Sequence, residues 1–96
     1  MVREVSIIKI DPKEEQEFVS VYEEVAPILR RQPGYHADEL LKVIENEDEY
    51  ILTILWDSVE AHTNFVNSVD FSLLAEPWGP FQKKVVVRHC TTAVIS

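Results

Sequence analysis

Apolar residues recur along this chain with two periods, and the changes between them outline the elements. From Val2 to Ile10, Val5 and Ile7 fall on one side while Ser6, Ile8 and Ile10 fall on the other, which predicts a strand with apolar groups on both faces. Asp11-Pro12-Lys13-Glu14 announces a helix: Asp11 suits the cap, Pro12 the first turn and Glu14 the capping-box position. Phe18, Val21, Tyr22, Val25, Ile28 and Leu29 then line one helical face opposite Glu15, Glu23 and Glu24. Pro27 is expected to kink or tighten the last turn, Arg30 and Arg31 suit the negative end of the dipole, and Gln32-Pro33-Gly34 stops the helix.

Two strands follow, Tyr35 to Glu45 and Glu49 to Trp56, joined by the acidic turn Asn46-Glu47-Asp48. In the second, Ile51, Thr53 and Leu55 oppose Tyr50, Leu52, Ile54 and Trp56. Asp57 or Ser58 caps a second helix whose inner face is expected to carry Val59, His62, Phe65 and Val66, and Asn67-Ser68 ends it. Val69 to Ala75 predicts a short helical turn, Glu76 to Pro80 a loop holding Trp78, and Lys84 to Ile95 a last strand.

The order β-α-β-β-α-β predicts an α+β, ferredoxin-like fold, a four-stranded antiparallel sheet with two helices on one face. Residues 1–96 are expected to form one domain, small enough to be marginal unless a partner adds core. A sheet covered on one face normally alternates apolar with polar. Here three strands are apolar on both faces, so the uncovered face calls for a second copy packed sheet to sheet, a homodimer.

Charge and composition narrow the function. The net charge is −8, and the excess sits between Val43 and Gln82, forty residues with eight acids and no Lys or Arg. That argues against nucleic acid and against anionic membrane surfaces as partners, both of which require clustered bases. Two glycines cannot build a phosphate-cradling loop. The lone Cys90 allows no intramolecular disulfide and suits a reducing compartment. No apolar run approaches membrane-spanning length, and the first ten residues alternate rather than form a signal-peptide core, so a cytoplasmic location is expected.

Two segments carry a family likeness. Gln32-Pro33-Gly34-Tyr35, followed by Tyr50-Ile51-Leu52-Thr53-Ile54-Leu55-Trp56-Asp57-Ser58-Val59-Glu60-Ala61-His62, resembles the antibiotic biosynthesis monooxygenase (ABM) domain. The resemblance implies a dimeric α+β barrel and a family that includes cofactor-independent oxygenases of polycyclic phenols, quinol oxidases and haem-degrading enzymes. Haem degraders of the family use an Asn on the first strand, a Trp in the second helix and a His after it. This chain has no such Asn, and the other two positions hold Phe65 and Ala75. The catalytic His of the related polyketide cyclases falls near Phe71. Neither haem degradation nor polyketide cyclisation is therefore expected, and no cofactor is implied.

His62 is the candidate catalytic base, because an imidazole titrating near neutrality suits removal of a phenol or enol proton. The bland alternative is an interior histidine bonded to backbone or water. Tyr22, Trp56, Phe65, Phe71 and Trp78 are candidate ligand-binding residues lining an aromatic cavity. Trp56 also suits the core, and Trp78 suits either the pocket or the dimer interface. His36 and His89 lack metal-site spacing, and Cys90 reads as a small core residue. The expected function is a cofactor-independent monooxygenase acting on a small aromatic, phenolic or quinol-type metabolite. The alternative is a non-catalytic dimer that binds a small apolar ligand or serves a stress-related structural role.

Overall fold

The computed structural model describes residues 1–96. Strand β1 (Val2–Lys9) leads through a 3-10 turn (Pro12–Glu14) into helix α1 (Glu15–Arg30). Strands β2 (Tyr35–Lys42) and β3 (Glu49–Trp56) form a hairpin, followed by helices α2 (Val59–Val66) and α3 (Val69–Trp78), a 3-10 turn (Gly79–Phe81) and strand β4 (Lys84–Cys90). All pairings are antiparallel in the order β2-β3-β1-β4, the ferredoxin-like arrangement with β1 and β3 in the centre. No helix is long and apolar enough to cross a membrane.

Strand parity decides what faces the helices. Ser6 pairs with Leu52 on one side and Val87 on the other, so Glu4, Ser6, Ile8, Leu52, Ile54, Trp56, Val85, Val87 and His89 share the inner face. Ile8, Leu52, Ile54 and Trp56 meet Phe18, Tyr22, Val25, Ala26 and Leu29 of α1 to form the core. Val5, Ile7, Leu41, Ile51, Leu55 and Val86 share the outer face, where Ile7 and Leu41 stay 39% and 42% exposed.

The local signals act largely as expected. The Asp11 carboxyl accepts from the Lys13 N–H at 3.0 Å, capping the 3-10 turn ahead of α1, whereas Glu14 makes no capping bond; Ser58, not Asp57, caps α2 by accepting from the Ala61 N–H at 3.1 Å. Helix α1 runs three residues past Pro27. The proline is exposed, and so is Glu23, whose carbonyl loses its helical donor and can turn to water.

Five readings of the sequence are corrected. Glu76 to Pro80 is not a loop: α3 extends to Trp78, because Phe71, Leu74 and Trp78 fall at i, i+3 and i+7 and pack inward, while Pro77 and Glu76 face solvent. Val59 is 45% exposed and off the inner face of α2, which His62, Phe65 and Val66 share, the last at its edge and 41% exposed. The last strand ends at Cys90 rather than Ile95, and β2 ends at Lys42 rather than Glu45. Cys90 is exposed on edge strand β4, not a core residue.

Candidate active site

Gly34 sets the position of α2. Its φ of +84° is one that side-chain-bearing residues rarely adopt, and its carbonyl accepts the Asp57 N–H at 2.8 Å. A Cβ at this position would lie 2.7 Å from the Ala61 Cβ. The Pro-Gly turn and the Trp56-to-Ala61 segment are thus one packed unit, which holds the first turn of α2 against the end of β3.

That placement brings His62 onto the sheet. Its ring stacks on Trp56, centroids 5.7 Å apart and planes 20° from parallel. Its Nε2 lies 3.2 Å from Glu4 Oε1, and its Nδ1 is hydrogen-bonded to His89 Nε2 at 2.7 Å. Glu4 and His89 are cross-strand partners on β1 and β4, so the register of the sheet brings them together. Glu4 also accepts from the Trp56 indole N–H at 3.0 Å and from the Ser6 hydroxyl at 3.2 Å. A buried carboxyl is costly without donors, and these interactions compensate it.

Burial pulls the His62 imidazole below the ordinary histidine value; nearby Glu4 works against that shift and His89 adds to it. His62 is therefore neutral at neutral pH, with basic capacity in hand. Tyr22 is in the opposite condition. Burial first, then donation to Asp38 at 2.5 Å, pushes its phenol far above the usual range, so it remains a protonated wall residue. Asp38 also binds the Arg30 guanidinium through both oxygens and the Tyr35 hydroxyl, tying α1 to β2.

Glu4, Ser6 and His62 open into a cavity of about 430 Å³ between the sheet and the helices. Thirteen of its eighteen lining residues are hydrophobic and none is Lys or Arg, so the site offers mainly apolar surface, with the Glu4, Ser6 and His62 cluster and Gln82 as its polar groups. The volume lies within the usual range for small-molecule sites. A groove of similar size over Gln32 to Gly34 and α2 has only two hydrophobic residues of ten and includes no histidine.

Of the residues singled out in the sequence, His62, Tyr22, Phe65, Phe71 and Trp78 line the cavity. Trp56 does not: fully buried, it lies behind the wall, stacking on His62 and donating to Glu4. Trp78 stacks on Phe18 at 5.0 Å and donates its indole N–H to the Phe18 carbonyl at 3.0 Å, which fixes it on the helix side, away from the open sheet face. Sequence reasoning missed Glu4 and Ser6 as cavity residues and His89 as a neighbour of His62. Parity held a clue, since Glu4 alternates in step with Ser6, Ile8 and Ile10. His36 makes no contact with this cluster and pairs with Asp57 at 2.5 Å.

Comparison with known proteins agrees with this architecture. The chain is 36% identical over 63 residues to the uncharacterised protein YczJ of Bacillus subtilis, covering 66% of each chain. It spans 66% of YczJ's length and 19% of that of a longer Streptomyces coelicolor relative. Among solved structures, a protein from Bordetella bronchiseptica assigned as an antibiotic biosynthesis monooxygenase superposes with a TM-score of 0.92 at 25% identity, over 97% of both chains. SnoaB of Streptomyces nogalater, a cofactor-independent oxygenase, superposes with a TM-score of 0.83 at 21% identity, over 98% of this chain and 94% of its own; that likeness is one of fold. The sequence profile of the antibiotic biosynthesis monooxygenases matches residues 1–76, a span that includes Glu4, the Pro-Gly turn, the Trp56-Asp57-Ser58 corner and His62. On that match, the chain belongs to the antibiotic biosynthesis monooxygenase family.

Proposed function

We propose that the protein is a cofactor-independent monooxygenase that binds a small neutral aromatic molecule, of phenolic or quinol type, in the 430 Å³ cavity and deprotonates it with His62. The observation that carries this reading is a neutral imidazole in a mainly apolar cavity that holds no Lys or Arg. His62 Nδ1 is engaged by His89, which leaves Nε2, on the Glu4 side, to take the proton. The resulting imidazolium lies beside the Glu4 carboxyl, which favours the charged form.

The chemistry then belongs to the substrate. For an anthrone-like probe, the enol O–H proton goes to His62 and the carbanion-like ring carbon passes its electrons to O₂, forming a C–O bond. The O–O bond of the peroxide then breaks and water leaves, so a ring CH₂ becomes C=O and the second oxygen atom of O₂ ends in water. The apolar wall favours the neutral ligand and excludes water from the anion. The test is oxygen uptake and quinone formation with anthrone and a panel of naphthols and quinols, wild type against His62→Ala. A fall of about 10² or more, the usual weight of a general base, supports the reading. Equal activity of the two proteins overturns the assignment of the base.

A second reading, a non-catalytic ligand-binding or stress-related structural domain, has one observation in its favour: Trp56 and Ser6 satisfy the Glu4 carboxyl, and His89 occupies His62 Nδ1, without a ligand. Binding of the panel without oxygen uptake selects it. In either reading, the proposal includes a homodimer formed through the outer sheet face carrying Val5, Ile7, Ile51, Leu55 and Val86. Sedimentation at micromolar concentration should give twice the 11.1 kDa chain mass, and an 11.1 kDa species contradicts it.

A further inference from the structure

We propose that His89 is a positioning residue that fixes the tautomer of His62 and, with it, forms a proton relay from the buried polar end of the cavity to solvent across edge strand β4. This inference rests on the reading of His62 as the cavity's base. Three observations carry it. The two imidazoles share a hydrogen bond of 2.7 Å between His62 Nδ1 and His89 Nε2. His62 lines the cavity with its side chain only 15% exposed, whereas His89 is exposed and does not line it. The pairing of Glu4 with His89 in the β1–β4 ladder sets this geometry, so it does not depend on a mobile loop.

The proton bookkeeping is closed. When His62 carries its hydrogen on Nδ1 and donates to His89 Nε2, its Nε2 lone pair, 3.2 Å from Glu4 Oε1, has no donor of its own and can take the substrate's proton, which then faces the Glu4 carboxylate. A partner that accepts from Nδ1–H is the arrangement by which catalytic imidazoles are commonly held for base work at Nε2. Here the partner is another imidazole, which can itself accept the proton. A proton taken at His62 Nε2 allows the Nδ1 proton to cross to His89 Nε2, and the proton on His89 Nδ1 to leave to water. The reverse sequence returns a proton for the departing water molecule, so none is gained or lost in a turnover. Glu4 from β1 and His89 from β4 are the titratable groups acting on His62, and Trp56 from β3 covers its ring.

The test compares wild type, His89→Gln, which can hydrogen-bond but cannot carry a proton, and His89→Ala with added imidazole. Imidazole ¹H–¹⁵N spectra give the titration of His62 without any substrate, and anthrone oxidation gives the pH profile. Since His89 helps hold the His62 value down, His89→Gln should move the His62 titration to higher pH. It should also shift the acid limb of kcat/KM the same way and lower kcat about tenfold or more with KM unchanged, and imidazole should restore part of the rate to His89→Ala. If His62 titrates identically in wild type and His89→Gln, or if the pH profile is unchanged while His62→Ala is inactive, the relay is overturned and the base reading stands. If the titration moves but His62→Ala oxidises anthrone as well as wild type does, the base reading falls and the relay's role in turnover falls with it.

Discussion

Replacing Glu4 separates the structural and electrostatic roles of one carboxyl. Its side chain is 8% exposed, and the Trp56 indole N–H, on a fully buried residue, has Glu4 Oε1 as its acceptor at 3.0 Å. Glu4→Ala leaves that N–H without a partner, a loss that costs about 1–3 kcal/mol, and it also removes the acceptor of the buried Ser6 hydroxyl. For a chain of this size that corresponds to a fall in Tm of about 5–20 °C. Glu4→Gln keeps an acceptor oxygen for Trp56 and should cost less than about 1 kcal/mol. Both variants remove the charge that holds His62 up, so both should lower its titration further. Thermal unfolding by near-ultraviolet circular dichroism reads the first effect, and imidazole NMR reads the second. Equal destabilisation by Ala and Gln, or a His62 titration that fails to move in Glu4→Gln, refutes this account of the cluster.

Three further outcomes follow from the same geometry. Gly34→Ala combines a positive φ with a Cβ 2.7 Å from Ala61, and urea unfolding should show a loss of at least about 2 kcal/mol; a loss under about 0.5 kcal/mol contradicts the proposed seating of α2. Trp78→Ala removes the stack on Phe18 and a buried hydrogen bond, so it should cost about 3–5 kcal/mol and enlarge the cavity, measurable by denaturation; a cost near that of a surface substitution contradicts its core placement. The depressed His62 value means that the unfolded chain binds its proton more readily. The stabilising contribution is therefore full above about pH 6.5 and is lost as pH falls through the folded value, by up to about 1.4 kcal/mol per pH unit. Urea unfolding of His62→Gln between pH 7.5 and 5.5 should lack that part of the slope, and parallel slopes refute it.

The elements were legible because their periods differ. Alternation in β3 gives both faces of the sheet correctly, and the same alternation exposes the outer face that motivates the proposed dimer. The end of α3 was obscured because Pro77 and Gly79 are loop signals, whereas the packing of Leu74 and Trp78 against α1 outweighs them. Glu4 escaped notice because a carboxyl in an alternating strand is ordinarily solvated. Its burial depends on Trp56 and Ser6 as donors, one of them fifty-two residues away. The His62–His89 contact depends on β1 pairing with β4, a non-local fact that no local pattern in the chain encodes. Trp56 and Trp78 show the converse: both were expected near the site, but only their packing distinguishes the wall of the cavity from the support behind it.

Proton removal inside the cavity is the central claim, and it can be observed before any oxygen chemistry. Anthrone should be held without oxygen in D₂O near neutrality with wild type and His62→Ala, and the loss of its ring CH₂ proton signal followed by ¹H NMR. The account requires the wild type to speed that exchange about 10² over the variant, because the base removes the proton only transiently. Exchange at equal rates in the two proteins, or no faster with the wild type than in buffer, contradicts it.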